Sequence, residues 1–187
     1  IKDGQNVWQS MGGQTVGSIW GHGAYIAPDW NADYLHRETE MLLDLFAQKD
    51  GKTYKDLPED EQAKYLVQLR KELRTNTYDA ASGVITFSPE RAQVARALAD
   101  YYTKLFMDDP SMDHVRKSYA IPKSAIKDPA RMAQMNAFFT WTTWVCSTNR
   151  PGSDVTYTNN WPYEPVIGNK PSTSLQMWSG FSVLMLL

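Results

Sequence analysis

The chain is 187 residues long, with a formal charge of −2, seven Trp, ten Tyr and a single cysteine, Cys146. That length suits one domain with a real core, and near-neutral charge without a basic run excludes an electrostatic nucleic-acid binder. One cysteine excludes an intrachain disulfide and any CxxC or CxxCH site.

Residues 1–31 form a glycine-rich, aromatic opening with a short helix over residues 4–11. Ile1-Lys2-Asp3-Gly4 shows no signal-peptide pattern and reads as an internal cut. From Asp33 to Lys49 the pattern is helical, with Leu35, Leu42, Leu45 and Phe46 on one face and Arg37, Glu38 and Glu40 at polar positions. Gly51 ends it. A second long helix is expected over Pro58 to Arg74, opened by Asp56 and Glu59 at capping-box spacing and striped by Tyr65, Leu66, Leu69 and Leu73. Thr77-Tyr78 and Val84 to Phe87 flank Asp79 to Gly83 as a short β-hairpin. Ser88-Pro89 then supplies an N-cap and an N1 proline for a helix reaching Met107. Asp128-Pro129 repeats that device for a helix through Cys146, whose face of Met132, Met135, Phe138, Phe139, Trp141 and Trp144 is aromatic or Met. Pro, Gly, Asn and Thr from Ser147 onward predict an extended tail over Asn149 to Ser174. Trp178 to Leu187 is apolar and too short to cross a bilayer; it reads either as a buried C-terminal strand or helix or, preferred because its last eight residues carry no charge, as the truncated start of a transmembrane helix with Trp178 at interface level. These elements make a mainly α domain with a minor hairpin.

The residues offer little catalytic chemistry. His22, His36 and His114 are the only histidines, and no pair has the close helical spacing of a zinc site. No GxSxG nucleophile elbow occurs. Gly12, Gly13, Gly17, Gly21 and Gly23 match neither GxGxxG nor a P-loop. His36 reads as a helix-surface residue and Cys146 as a small buried hydrophobe. Trp20 to Trp30 is the segment with the character of a shaped binding loop, and His22 sits in it between two glycines.

Gly21-His22-Gly23-Ala24-Tyr25-Ile26-Ala27-Pro28-Asp29 resembles the GEGAYFAPDL-type segment in the cytochrome c subunit of two-component bacterial nitric oxide reductases. In that family the segment follows a CxxCHTLL haem-attachment motif. In the same register Gly13-Gln14-Thr15-Val16-Gly17 fills the CxxCH slot, with Gly13 and Val16 in place of the cysteines and Gly17 in place of the ligand histidine. Covalent haem attachment is therefore lost. Phe138 to Trp144 resembles the last helix of that cytochrome fold, and Asn159-Asn160-Trp161-Pro162 the tail leading towards the membrane. Taken whole, the chain looks like the extracytoplasmic domain of a single-chain, quinol-dependent nitric oxide reductase.

The resemblance implies a haem-less, cytochrome c-like module over residues 1–147, an extended linker over 148–176 and a truncated membrane helix over 177–187. It implies a non-catalytic part of a membrane enzyme of denitrification that reduces two NO to N2O and water. The module would lie on the periplasmic face of the inner membrane, against the catalytic transmembrane domain of the same chain. Quinol, NO, haem b, high-spin haem b and non-haem iron all bind outside this fragment. Gly23 and Tyr25 correspond to residues beside a calcium ion, expected only in the full-length protein, and His22 stands where the family has Glu. His22, Tyr25, Pro28 and Asp29 are the implied contacts with the catalytic domain. Trp20, Trp141 and Trp144 are the candidate fillers of the vacated haem volume, since a void there would cost about 24 cal/mol per Å³. The alternatives are a soluble helical enzyme acting through the His22 loop, or a module binding a small aromatic ligand between that loop and the Asp128–Cys146 helix.

Overall fold

The computed structural model describes residues 1–21 and 26–186. Its helices are α1 (Lys2–Ser10), α2 (Trp30–Lys49), α3 (Glu59–Arg74), α4 (Pro89–Met107), α5 (Asp113–Ser118), α6 (Pro129–Ser147) and α7 (Thr173–Leu186). A two-stranded antiparallel hairpin, β1 (Tyr78–Asp79) and β2 (Val84–Ile85), pairs Tyr78 with Ile85 and Asp79 with Val84.

Local chemistry explains most helix starts. The Ser88 side chain accepts from the backbone N–H of Arg91 at the head of α4, and Asp128 accepts from Ala130 at the head of α6. Each satisfies an otherwise orphaned donor, and Pro89 and Pro129 occupy positions where a missing N–H does no harm. Several starts differ from expectation: α1 begins at Lys2 rather than at residue 4, and α7 at Thr173, within the stretch expected to be extended and before residue 177. Helix α2 begins at Trp30 because Asp29 caps it, accepting from Asn31 and Ala32. The capping box of Asp56 and Glu59 does not form: Tyr54–Asp56 is a 3-10 turn and Pro58 takes the N-cap position without a side-chain bond.

Helices α2, α4 and α6 meet around Trp30, Tyr34, Leu98, Tyr102, Leu105, Phe106, Met135 and Phe139, all almost wholly buried. Helix α1 runs antiparallel to α6: Gly4 lies against Gln134 and Phe138, and Arg131 donates to the Ser10 hydroxyl at 2.7 Å. A buried pair, Arg91 Nε to Glu38 Oε1 at 2.8 Å, joins α4 to α2, and Arg91 also reaches Ser147 Oγ on α6 at 3.3 Å. Glu38, a polar-face residue by sequence pattern, is thus in the core because Arg91 meets it there.

The segment after α6 has little regular structure, yet it wraps the body. Arg74, at the end of α3, donates to Asn169 Oδ1 at 2.9 Å and Asn160 Oδ1 at 3.1 Å. Arg70 donates to the Val166 carbonyl at 2.8 Å, and Asn169 Nδ2 to the Cys146 carbonyl at 2.9 Å. The bond to Val166 satisfies a backbone carbonyl of the irregular segment, and the others tie its Asn160 and Asn169 side chains to α3 and α6. Among the described residues no helix is long and apolar enough to cross a membrane.

Candidate functional site

The opening loop is gathered at its base by Asp29. Its carboxylate accepts from the Ser18 hydroxyl at 2.9 Å, the Gly21 N–H at 2.6 Å, and the N–H groups of Asn31 and Ala32 at 3.0 Å each. Backbone bonds from Ser18 N–H to the Pro28 carbonyl, and from Trp30 N–H to the Ser18 carbonyl, close the two arms of the loop together. Asn31 Oδ1 accepts from Trp20 N–H at 2.8 Å. A carboxylate at a helix N-terminus is favoured by the helix dipole as well as by these donors. Asp29 therefore serves as the cap of α2 and the clasp of the loop at once.

Directly before the loop, Gly13–Val16 forms a 3-10 turn. Gly13, Val16 and Gly17 are all buried. Gly17 has φ +114°, and a Cβ added there would stand 2.0 Å from Trp30 Nε1. Only glycine fits both the backbone angle and the contact. The Trp30 indole donates to the Val16 carbonyl at 2.9 Å, and the Trp8 indole to the Gly17 carbonyl at 3.3 Å. The turn is fastened onto two tryptophans.

Trp30 is the centre of the aromatic core. It is fully buried, stacked on Phe139 at 6.0 Å and met edge-on by Phe106 at 5.3 Å, Tyr102 at 6.0 Å and Tyr119 at 6.2 Å. Helical periodicity counted from Asp33 leaves Trp30 outside the stripe, so the sequence pattern does not mark it as core. The three tryptophans expected to fill a haem volume are placed as follows. Trp20 is 37 % exposed and packs on Trp141 at 5.9 Å, with its indole reaching the Thr142 carbonyl at 3.5 Å. Trp144 is buried, but beside Tyr78 and Tyr157 at the hairpin side. Trp20 and Trp141 thus come together; Trp144 does not join them.

Of the remaining candidates, Pro28 and Asp29 are half-buried at the loop base. His22, Gly23 and Tyr25 lie outside the described residues. His36 sits on the surface of α2, with Nδ1 3.1 Å from Glu164 Oε2 and Nε2 3.8 Å from Glu40. His114 is exposed. Burial pushes the Cys146 thiol up to about 12, which removes it as a nucleophile at neutral pH. Among the described residues no group of three or more His, Cys, Asp or Glu is placed to hold a metal ion.

A groove of about 740 Å³ opens beside the loop, walled by Trp20 and Gly21, by Trp161 and Tyr163 of the tail, and by Leu175 and Ser179 of α7. It lies beside Trp20, which itself packs against Trp141 of α6. Gly21 makes this close approach possible: a Cβ on it would lie 2.8 Å from the Trp161 ring.

The family model for the cytochrome c-like domain of the NorB chain of nitric oxide reductase matches residues 1–163. The chain belongs to that family. No curated protein matches it. The match covers the slot, the loop, every helix from α1 to α6 and the wrapped segment as far as Tyr163, so the mainly helical architecture with its small hairpin is a cytochrome c-like domain. A cytochrome c fold implies haem, and the residues present do not fit it. In the register of the resemblance, Gly13, Val16 and Gly17 stand at the positions of the attachment motif, and the indole of Trp30 lies where a side chain on residue 17 would project. The slot offers neither a thiol to tether the macrocycle nor an imidazole to hold its iron.

Proposed function

We propose that this chain is the haem-free extracytoplasmic domain of a single-chain, quinol-dependent nitric oxide reductase. In this reading it covers and docks on the catalytic helical bundle and carries no electrons. The observation that carries the proposal is the interlock of Gly17 with Trp30: the attachment slot has lost its ligands, and the space beside it is filled with packed indole.

The placement of the ends supports docking. Helix α1 brings the Ile1 end towards Phe138, Trp20 packs on Trp141, and α7 lines the groove next to Trp20 and Gly21. The two ends of the chain and the opening loop therefore share one end of the domain. Ile26, 62 % exposed, adds an apolar side chain to the loop near this end. His22, Tyr25, Pro28 and Asp29 would meet the bundle, and Gly23 and Tyr25 would stand beside the calcium ion in the full-length protein. Haem b, high-spin haem b, non-haem iron, quinol and NO belong to the bundle.

The test is quinol-driven NO consumption by the full-length protein and by residues 1–187 alone. The expected result is turnover of NO to N2O by the full-length protein and none by the fragment. Turnover by the fragment would overturn the assignment and favour an enzyme acting through the His22 loop.

A further inference from the structure

Trp20 is held in a backbone conformation that a bulky side chain rarely adopts. Its φ is +57°, in the left-handed region, where a Cβ is crowded and the conformation persists only if the surroundings fix it. Two side chains of the α2 N-terminus supply that fixing. Asn31 Oδ1 accepts from the Trp20 N–H at 2.8 Å, and Asp29 Oδ2 accepts from the Gly21 N–H at 2.6 Å. On the other side the Trp161 ring closes on Gly21, so nearly that a Cβ there would stand 2.8 Å away. Glycine or asparagine at position 20 would take this φ with less strain. The tryptophan found there does not fill the interior in return: its ring is 37 % exposed, rests on Trp141 and makes one indole bond of 3.5 Å. Packing and local turn geometry therefore leave the choice of tryptophan unexplained, and strain held by dedicated partners points to a functional position.

We infer that Trp20 is the anchor of this domain on the rest of its chain, its ring entering a preformed pocket of the catalytic bundle. The inference rests on the docking proposed above and names the residue that carries it. The family match sets the domain within a NorB chain, and the groove beside Trp20 has no charged residue in its wall among the described residues. A soluble partner with a charged rim would find nothing to pair with there; an apolar helical bundle matches it. The clasp decides between protein and lipid. Fluid hydrocarbon imposes no orientation, so a ring that only dips into it needs no fixed backbone. A protein pocket accepts one orientation, and holding the ring in it beforehand lowers the entropy lost on docking. Tryptophan is enriched among the few residues that dominate interface energies, and it does so when seated in a pocket. Asp29 and Asn31 are then positioning residues, acting through Trp20.

The test uses the full-length protein in its membrane, with the photoreactive residue p-benzoylphenylalanine placed at position 20 or, separately, at position 26, whose isoleucine is 62 % exposed on the same loop. After irradiation and digestion, adducts are mapped by mass spectrometry. Position 20 is expected to cross-link to a single segment beyond residue 187. Asp29→Asn keeps a side chain that caps α2 but puts an amide where Gly21 needs an acceptor, so it should cut the share of position-20 adducts on that segment at least threefold. An unchanged share would show that the clasp does not present the anchor and would overturn the inference. Adducts beyond residue 187 from position 26, with those from position 20 confined to residues 1–187 or to lipid, would overturn the anchor and leave the docking standing. Adducts beyond residue 187 from neither position would overturn both.

Discussion

Truncating Trp30 to alanine should be among the most damaging single changes in this domain. The side chain is fully buried, touches four aromatic rings and donates to the Val16 carbonyl. Loss of a buried tryptophan costs about 3–5 kcal/mol in transfer and cavity terms, and the abandoned carbonyl adds about 1 kcal/mol. A total of about 4–6 kcal/mol is a large share of the roughly 5–15 kcal/mol that holds a typical domain folded. For a chain of this size it corresponds to a fall in Tm of about 10–20 °C. Trp20→Ala is the control, since that ring is 37 % exposed and its indole makes one long bond. It should cost only about 1–2 kcal/mol. Urea unfolding of the two variants against the parent domain measures both numbers, with unchanged m-values licensing the comparison. If Trp20→Ala proved the more destabilising, or Trp30→Ala moved the midpoint by less than about 1 kcal/mol, the claim that Trp30 is the centre of the aromatic core would be refuted.

Other outcomes follow from the same geometry. Gly17→Ala should cost about 2–4 kcal/mol through its positive φ and its collision with Trp30, and less in a Trp30→Phe background; a double-mutant cycle should give a coupling above about 1 kcal/mol. Asp29→Ala removes a helix cap and strands the donors of Ser18 and Gly21, so thermal unfolding should report a loss of about 2–3 kcal/mol. Arg91→Ala leaves Glu38 buried without its partner and should cost about 3–5 kcal/mol, whereas an apolar replacement of both residues should be far milder in the same denaturation assay. Burial, with the charge of Asp33, raises the Tyr102 phenol well above its ordinary value, and burial raises Tyr34 in the same direction. Because the folded-state values are the higher ones, stability is full below about pH 10 and falls as pH rises beyond it, by about 1.4 kcal/mol per pH unit for each phenol. Tyr102→Phe should flatten that alkaline slope by one phenol's share in urea titrations between about pH 9.5 and 11; an unchanged slope would show that Tyr102 ionises freely in the folded state.

What sequence makes legible is what side chains do to their own backbone. Ser88-Pro89 and Asp128-Pro129 announce helices because cap and proline act within three residues. The hairpin shows for a similar reason, with Asp79 and Gly83 closing it locally. Helix α5, six residues long, is too short for periodicity to reveal. The box of Asp56 and Glu59 misleads because the chain uses Asp56 to end a 3-10 turn. The wrapping of the tail depends on Arg70 and Arg74, more than ninety positions before Val166 and Asn169, and no local pattern encodes it. The same holds for the site. The glycines around Val16 are plain in the sequence, but which tryptophan lies against Gly17 is a tertiary fact. Counting from Asp33 hides Trp30, although Asp29-Trp30 carries a cap signal four residues earlier.

The central claim, a cytochrome c-like domain that works without haem, is tested most directly by the fate of haem in the full-length protein. Acid–acetone extraction followed by a haem stain of the denatured chain separates non-covalent from attached haem. All haem should be extractable, and the fragment of residues 1–187, mixed with haem, should develop no Soret band of a specifically bound group. Haem retained on the denatured chain, or a stoichiometric Soret band in the fragment, would contradict it.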